Sequence, residues 1–314
     1  MKKLTIAVLF LLLPISPASA IYGGTDATND QNVITFTIGK ESRQQYCSGA
    51  MVTDLIAVTA GHCFAKPFTS DGSTVLPASS YWAVSPGKNI KTDDISTRVQ
   101  ADRIILVKGY DNSWDLATNN RNGTIDDIAF IVLKNKIKLD KPILLATAED
   151  VVNVKKSNGI LRFYGYGLYD FNKISDKPNF VELNSRARKF FYELNHPAQE
   201  SKTIIGDENG VMAICPGDSG GPVYINDSGV LKLVAVISGG SGCSGRGTYA
   251  GGSFATLIHP YMYLINDISI NKKDINIQLT NNNLPATIKC QRGKSIQTIT
   301  RKNAKCMRGW SEIK

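Results

Sequence analysis

The run Cys215-Pro216-Gly217-Asp218-Ser219-Gly220-Gly221-Pro222-Val223 sets a hydroxyl among three glycines and two prolines. Glycine opens backbone conformations closed to other residues, so flanking Ser219 with it exposes the hydroxyl and frees nearby N–H groups to point outward. Those are the parts of an acyl-transfer site. The same composition also makes ordinary surface turns, so a nucleophile here needs a base elsewhere. His62, in Thr59-Ala60-Gly61-His62-Cys63, is placed just past a strand and beside a cysteine. An imidazole can take a proton from a serine and return it to a leaving group near neutral pH; taken singly, without Ser219, His62 reads more readily as a hydrogen-bonded histidine at a strand end. Asp126-Asp127 lead into Ile128-Ala129-Phe130-Ile131-Val132-Leu133. Aspartates before strands commonly end turns, but a carboxylate entering buried sequence can orient a histidine and stabilise its cation.

These residues need a scaffold of many short strands. The 314 residues are 42% hydrophobic and 20% charged, a soluble globular composition with a sizeable core and no indication of disorder. Val33–Ile38 alternates in the manner of a half-buried strand. Further β-rich runs fall at Met51–Ala60, Tyr81–Val84, Arg98–Val107, Ile128–Leu133, Ile143–Ala146, Ile160–Tyr166, Arg186–Glu193, Gly221–Ile225, Leu231–Ile237 and Tyr249–Ile258. Such a pattern predicts sandwiches or barrels. Pro260–Ile268 is the one helical candidate, with Tyr261, Leu264, Ile265 and Ile268 on one face. Lys134–Asn158, rich in Lys and Asn, reads as a connection between two β domains.

Met1-Lys2-Lys3, the apolar run Leu4–Leu13 and the ending Ala18-Ser19-Ala20 have the form of a secretory signal over residues 1–20. The run is too short to span a bilayer, which takes about 20 apolar residues. Export to the periplasm or the exterior is expected, with no transmembrane anchor left in the mature chain. Six cysteines then suggest disulfides. Nearest-neighbour pairing of Cys47 with Cys63, Cys215 with Cys243, and Cys290 with Cys306 is the simplest arrangement. No zinc pattern is present, since CxxC pairs are absent and His62, His196 and His259 are scattered; neither metal nor cofactor is expected.

The net charge of +9 is unevenly placed: residues 1–20 carry two lysines, residues 289–314 carry eight Lys/Arg against Glu312, and the body between is neutral. A basic-partner reading therefore concerns the tail alone. Residues 271–288 read as a polar linker and 289–314 as a disulfide-closed basic tail. An anionic surface is one candidate partner for that tail and packing on the body the other; nucleic acid is disfavoured.

Taken together, Ile21-Tyr22-Gly23-Gly24, Cys47-Ser48-Gly49, Thr59 to Cys63, Asp127-Ile128-Ala129, Tyr164-Gly165-Tyr166-Gly167 and Gly217 to Pro222 resemble the trypsin/chymotrypsin-like serine proteases, in that family's order. The likeness runs from Ile21 to about Ile268. It implies an all-β fold of two six-stranded antiparallel β-barrels with the active site between them, one C-terminal helix and, here, the small stapled extension. On this likeness residues 21–270 form the protease domain, with barrels over about 21–140 and 141–258 and a helix over 260–268.

The resemblance further implies Ser219 as nucleophile, His62 as general acid/base, Asp127 as its orienting carboxylate and Ser238 as support for Asp127. It implies an oxyanion hole from the N–H groups of Gly217 and Ser219, and a specificity pocket from Ala213, Ile214, Gly240 and Gly247. Ala213 stands where an aspartate would select Lys or Arg, so small to medium apolar residues are expected before the scissile bond. Gly239 replaces a common tryptophan, which removes an aromatic surface from the cleft. Asp218 would receive a new N-terminal ammonium at Ile21, and cleavage after Ala20 would create it. The expected activity is a serine endopeptidase acting on proteins or peptides as a monomer; the alternative is a protease-like binding protein of weak or no turnover, attached to an anionic surface through the tail.

Overall fold

The computed structural model describes residues 21–313 apart from 22, 29–31, 66–75, 108–113, 116–119, 122–125, 141–142, 171–172, 186–202, 208–213, 241–251, 271–285, 293–294 and 302–310. Six strands close a barrel in the order Val33–Ile38, Cys47–Met51, Ile56–Thr59, Ala129–Leu133, Val99–Leu106 and Tyr81–Val84. The expected single strand Met51–Ala60 is instead broken by a turn. Thr53 Oγ1 accepts the N–H groups of Leu55 and Ile56, which reverses the chain between Cys47–Met51 and Ile56–Thr59.

The barrel strands do not follow the expected half-buried alternation, because both their faces are covered. Ile34, Phe36, Ala57 and Ile131 point into the barrel with Met51, Phe64 and Tyr81. Val33, Val58, Phe130 and Val132 pack outward against Tyr164, Tyr224, Val236 and the C-terminal helix. A strand buried on both faces reads as a continuous apolar run.

The second half is an eight-stranded sheet. Its main path runs Thr25–Asp26, Asn179–Asn184, Ile160–Gly165, Pro222–Asp227, Val230–Gly240, Gly252–Leu257 and Thr203–Asp207, all antiparallel. Leu144–Leu145 adds to Val230–Gly240 in parallel. Among the described residues, an isolated antiparallel bridge, Ser185 to Gly206, links the residue after Asn179–Asn184, next to the end strand Thr25–Asp26, to Thr203–Asp207 at the other end of the path. Its core gathers Ile21, Val151, Val154, Leu161, Phe163, Ile214, Val234 and Ile237.

Among the described residues, two helices complete this half. Met262–Ile270 follows a 3-10 turn at His259–Tyr261, and Tyr261, Leu264, Ile265 and Ile268 are all buried, the face read from the sequence. The connection Lys134–Asn158 proves to contain the helix Ala148–Ser157. Thr147 and Asp150 cap it reciprocally, Asn158 ends it in a left-handed conformation, and Val151 and Val154 bury its inner face. The capping pattern at Thr147 and Asp150 was there to be read; the surrounding Lys and Asn obscured it.

The expected strand Arg186–Glu193 lies outside the described residues, as do residues 1–20 and most of the linker. At the C-terminus, Ser295–Arg301, Ala286–Arg292 and Ser311–Ile313 form a three-stranded antiparallel sheet in that order, its middle strand beginning in the last residues expected as linker. No helix among the described residues is long and apolar enough to cross a membrane.

Candidate active site

Strand register puts the first two groups together. Thr59 pairs with Ala129 at one end of the barrel, so the 3-10 turn Gly61–Cys63 and the residues before Ala129 emerge side by side. Cys63 is bonded to Cys47, which anchors the turn from its other flank. His62 Nδ1 lies 2.8 Å from Asp127 Oδ2, and the His62 backbone N–H donates to Asp127 Oδ1 at 2.8 Å. Ser238, near the end of Val230–Gly240, donates its hydroxyl to Asp127 Oδ2 at 2.5 Å. The neighbouring Asp126 adopts φ of 60° and turns away, accepting the hydroxyl of Tyr261. The two adjacent aspartates thus serve different partners.

The electrostatics follow from burial and pairing. Asp127 is fully buried, while the imidazole keeps 28% of its side chain exposed. Burial opposes charge on both groups. For His62, Asp127's charge and hydrogen bond outweigh that penalty, and the imidazole pKa is raised. For Asp127, burial pushes the pKa up, but His62 and Ser238 overcome it and hold it low.

The loop carrying Ser219 is fixed by its carbonyls. Cys215 O accepts from Asp218 N, Pro216 O from Leu168 N, Gly217 O from the Ser48 hydroxyl, Asp218 O from Gly221 N and Ser219 O from Ser48 N. On the donor side, Cys215 N reaches Asp218 Oδ2, Gly220 N reaches Ile237 O and Gly221 N reaches Asp218 O. Among the described residues, the N–H groups of Gly217 and Ser219 are the two in this loop that bond to nothing. Gly220, at φ of 81°, presses against the strand leading to His62: a Cβ there would come within 2.0 Å of Thr59 Oγ1 and 2.7 Å of Ala60 N. Only a glycine lets the serine loop and the histidine segment approach so closely.

Asp218 is fully buried and accepts Gly167 N at 2.7 Å and Cys215 N at 2.8 Å. Burial outweighs both bonds and pushes its pKa up to about 7. Gly165 and Gly167 make its cradle, since a Cβ on either would strike the carboxylate. Ile21 is also fully buried, in the core that includes Ile214.

The other expected site residues fall as follows. Ile214 is 3% exposed and its bulk is committed to the second core. Gly240 pairs with Ser253, and Gly239 with Phe254. Phe254 was not picked out from the sequence, yet its ring covers Gly239 so closely that a Cβ there would meet it at 2.9 Å. An aromatic surface is therefore supplied by the neighbouring strand beside Ser238. Ala213, Gly247, Cys243 and Cys306 lie outside the described residues, as does the side chain of Cys290. Cys215 is disulfide-bonded. Ser48 stands in the Cys47-Ser48-Gly49 motif but had no role assigned to it, because its side-chain partners Gly217 and Tyr166 lie in the other half of the fold; Gln45 was not picked out.

A serine loop with two N–H groups that bond to nothing, packed against the segment that leads to an imidazole held by a buried carboxylate, is the equipment of a serine hydrolase on a β-barrel scaffold. The trypsin family model matches residues 21–265. The chain is 27% identical over 248 residues to a trypsin-like protease of Streptomyces glaucescens, covering 75% of this chain and 80% of that one. It is 24% identical over 230 residues to a trypsin of Saccharopolyspora erythraea, covering 72% and 89%. Trypsin beta of Drosophila erecta is 26% identical over 229 residues, covering 71% and 79%. The chain belongs to the trypsin family and is a serine endopeptidase.

Proposed function

We propose that this endopeptidase is exported, is activated by release of Ile21, and cleaves after small to medium apolar residues through an acyl-enzyme on Ser219. The observation that carries the mechanism is the convergence of His62, Asp127 and Ser238 at one end of the barrel, against a loop whose unbonded N–H groups belong to Gly217 and Ser219. His62 takes the proton of Ser219 as the hydroxyl attacks the substrate carbonyl, and Asp127 fixes the tautomer and stabilises the imidazolium. The oxyanion is received by Gly217 and Ser219 N–H groups. His62 then protonates the leaving amine, and water repeats the sequence on the ester. In this reading the second sheet is the counterpart barrel, with the bridge between Ser185 and Gly206 drawing its penultimate strand Asn179–Asn184 toward the end strand Thr203–Asp207.

The test is covalent labelling. A fluorophosphonate is expected to label the processed protein and to leave Ser219→Ala unlabelled; a correctly processed chain that takes no label would sink the mechanism.

The specificity reading rests on Ala213 in place of an acid, so that no buried carboxylate waits for a substrate cation. The relatives named trypsin do not transfer their selectivity past that substitution. With Ile214 packed in the core, the open positions are Gly240 and Gly239, the latter backed by the Phe254 ring. A peptide library is expected to show apolar preference before the scissile bond and no more than a minor signal for Lys or Arg. Dominant cleavage after Arg would reject the pocket assignment.

Export and activation are linked in one cut. Cleavage after Ala20 ends the signal pattern and makes Ile21 the N-terminus. Its ammonium is the cation that the buried Asp218 carboxylate needs.

A further inference from the structure

We infer that Ser48 is a positioning residue for the oxyanion hole. It rests on the proposed roles of Gly217 and Ser219, and it names a contribution from the first barrel to a loop carried by the second half.

Five successive carbonyls, from Cys215 to Ser219, are tied down. Four accept from backbone N–H groups, which no side-chain substitution removes. The fifth, Gly217 O, accepts a side-chain hydroxyl, Ser48 Oγ, at 2.8 Å. That hydroxyl also accepts the N–H of Tyr166 at 2.9 Å, so its lone proton is committed to Gly217. Meanwhile the Ser48 backbone N–H donates to Ser219 O at 2.9 Å. One residue therefore grips the loop at both of the positions whose own N–H groups face the site.

Ser48 is itself held. It is fully buried in the strand Cys47–Met51, one residue past the disulfide, and its carbonyl accepts the Thr59 hydroxyl at 2.8 Å. Gly217 needs such an external hold because it sits at φ of 94°, where backbone freedom is greatest. The Gln45 carboxamide lies over the same Cα: a Cβ on Gly217 would come within 1.9 Å of Gln45 Nε2, so no side chain can stiffen the position from within. A hydrogen bond to the Gly217–Asp218 peptide fixes one side of the Gly217 residue, and the Pro216 carbonyl, bonded to Leu168 N, fixes the peptide on the other. With both peptides set, the Gly217 N–H keeps its aim. An oxyanion donor works only if it is already oriented when charge develops, so a loosened Gly217 should cost the transition state and spare the ground state.

The test compares Ser48→Ala with Thr35→Val. Thr35 lies directly across from Ser48 on the adjacent strand and buries a hydroxyl of similar kind, but that hydroxyl bonds to Cys47 O at 3.0 Å and not to the loop. Ser48→Ala is expected to lower kcat roughly 10- to 100-fold, somewhat less than outright removal of an oxyanion donor. KM should stay within about twofold, and affinity for a peptide boronate, which forms a tetrahedral adduct on the serine, should fall in parallel with kcat/KM. Thr35→Val should lower thermal stability without that pattern. An unchanged kcat, a loss confined to KM, or the same kcat loss in Thr35→Val would overturn the inference. If Ser48→Ala does not accumulate, Ser48→Cys, whose thiol is a weak donor, is read by the same ratio of boronate affinity to KM. Fluorophosphonate labelling of the unmodified enzyme keeps the outcomes separate: no label refutes the nucleophile, whereas label with an unaffected Ser48→Ala refutes only the positioning role.

Discussion

Asp127→Asn is expected to lower kcat by about four orders of magnitude, the size of loss this change produces in the same constellation elsewhere. The reason lies in what converges on the carboxylate. Oδ1 receives the His62 backbone N–H, and Oδ2 receives both the His62 ring and the Ser238 hydroxyl. A carboxylate accepts on both sides, but an amide accepts on one and donates on the other. With the carboxamide oxygen kept on the backbone N–H, its NH₂ meets the ring and forces Nδ1 to accept. The ring proton then sits on Nε2, which can no longer take one from Ser219.

The pH profile provides a second readout of the same pair. Burial alone would lower the His62 pKa, and the charge and hydrogen bond of Asp127 raise it overall. With the neutral imidazole as the proposed base, kcat/KM should fall as pH drops through a pKa above the ordinary 6.5. In Asp127→Asn the burial penalty remains and the opposing charge is gone, so the residual activity should persist to lower pH. An acid limb that does not move would show that Asp127 does not set the base.

The residues proposed to carry the chemistry stand out in the sequence because chemistry leaves local marks. His62 and Ser219 sit in short runs of glycine, alanine and cysteine that no ordinary element requires, and Asp127 sits at the mouth of an apolar strand. Gly165 and Gly167 could be seen as a motif, yet their purpose, space for the Asp218 carboxylate, shows only in three dimensions. Ser48 illustrates the opposite case. The motif Cys47-Ser48-Gly49 was visible, but nothing in it gives the serine a role, since its partners Gly217 and Tyr166 come from 169 and 118 residues away. Phe254 was equally silent, since what makes it matter is the register that sets its ring over Gly239. Barrel strands were found and their alternation misjudged for a related reason. Periodicity reports how many faces are buried, and here the second face is covered by the other half of the chain.

The uncleaved precursor is expected to lose stability as pH rises from about 4 to about 7, and the processed enzyme is not. In the absence of a cation, burial holds the Asp218 pKa at about 7 against 3.8 for an ordinary aspartate. Between those values the folded precursor binds a proton that the unfolded chain has released, so its stability falls with rising pH and levels off above about 7. The drop should amount to a few kcal/mol, at roughly 1.4 kcal/mol for each pH unit of difference. Release of Ile21 changes the sign of the problem. On the proposed activation, the new ammonium would compensate the carboxylate, which would then ionise at no such cost, and the pH slope should vanish.

A backbone term acts in the same direction. Ile21 holds φ of 61° while fully buried, a conformation that costs a β-branched residue roughly 1–2 kcal/mol. The angle φ exists only while a preceding residue is attached, so cutting before Ile21 abolishes the constraint. Asp218→Asn separates the two forms most clearly. It should flatten the slope and stabilise the precursor above pH 7, because a neutral amide can be buried without a cation. In the processed chain the same change leaves the ammonium unpaired, and both stability and activity should fall. Urea unfolding at a series of pH values, run on both forms with and without Asp218→Asn, reads all four outcomes. A processed enzyme with the same slope as its precursor would mean that the Ile21 ammonium does not reach Asp218.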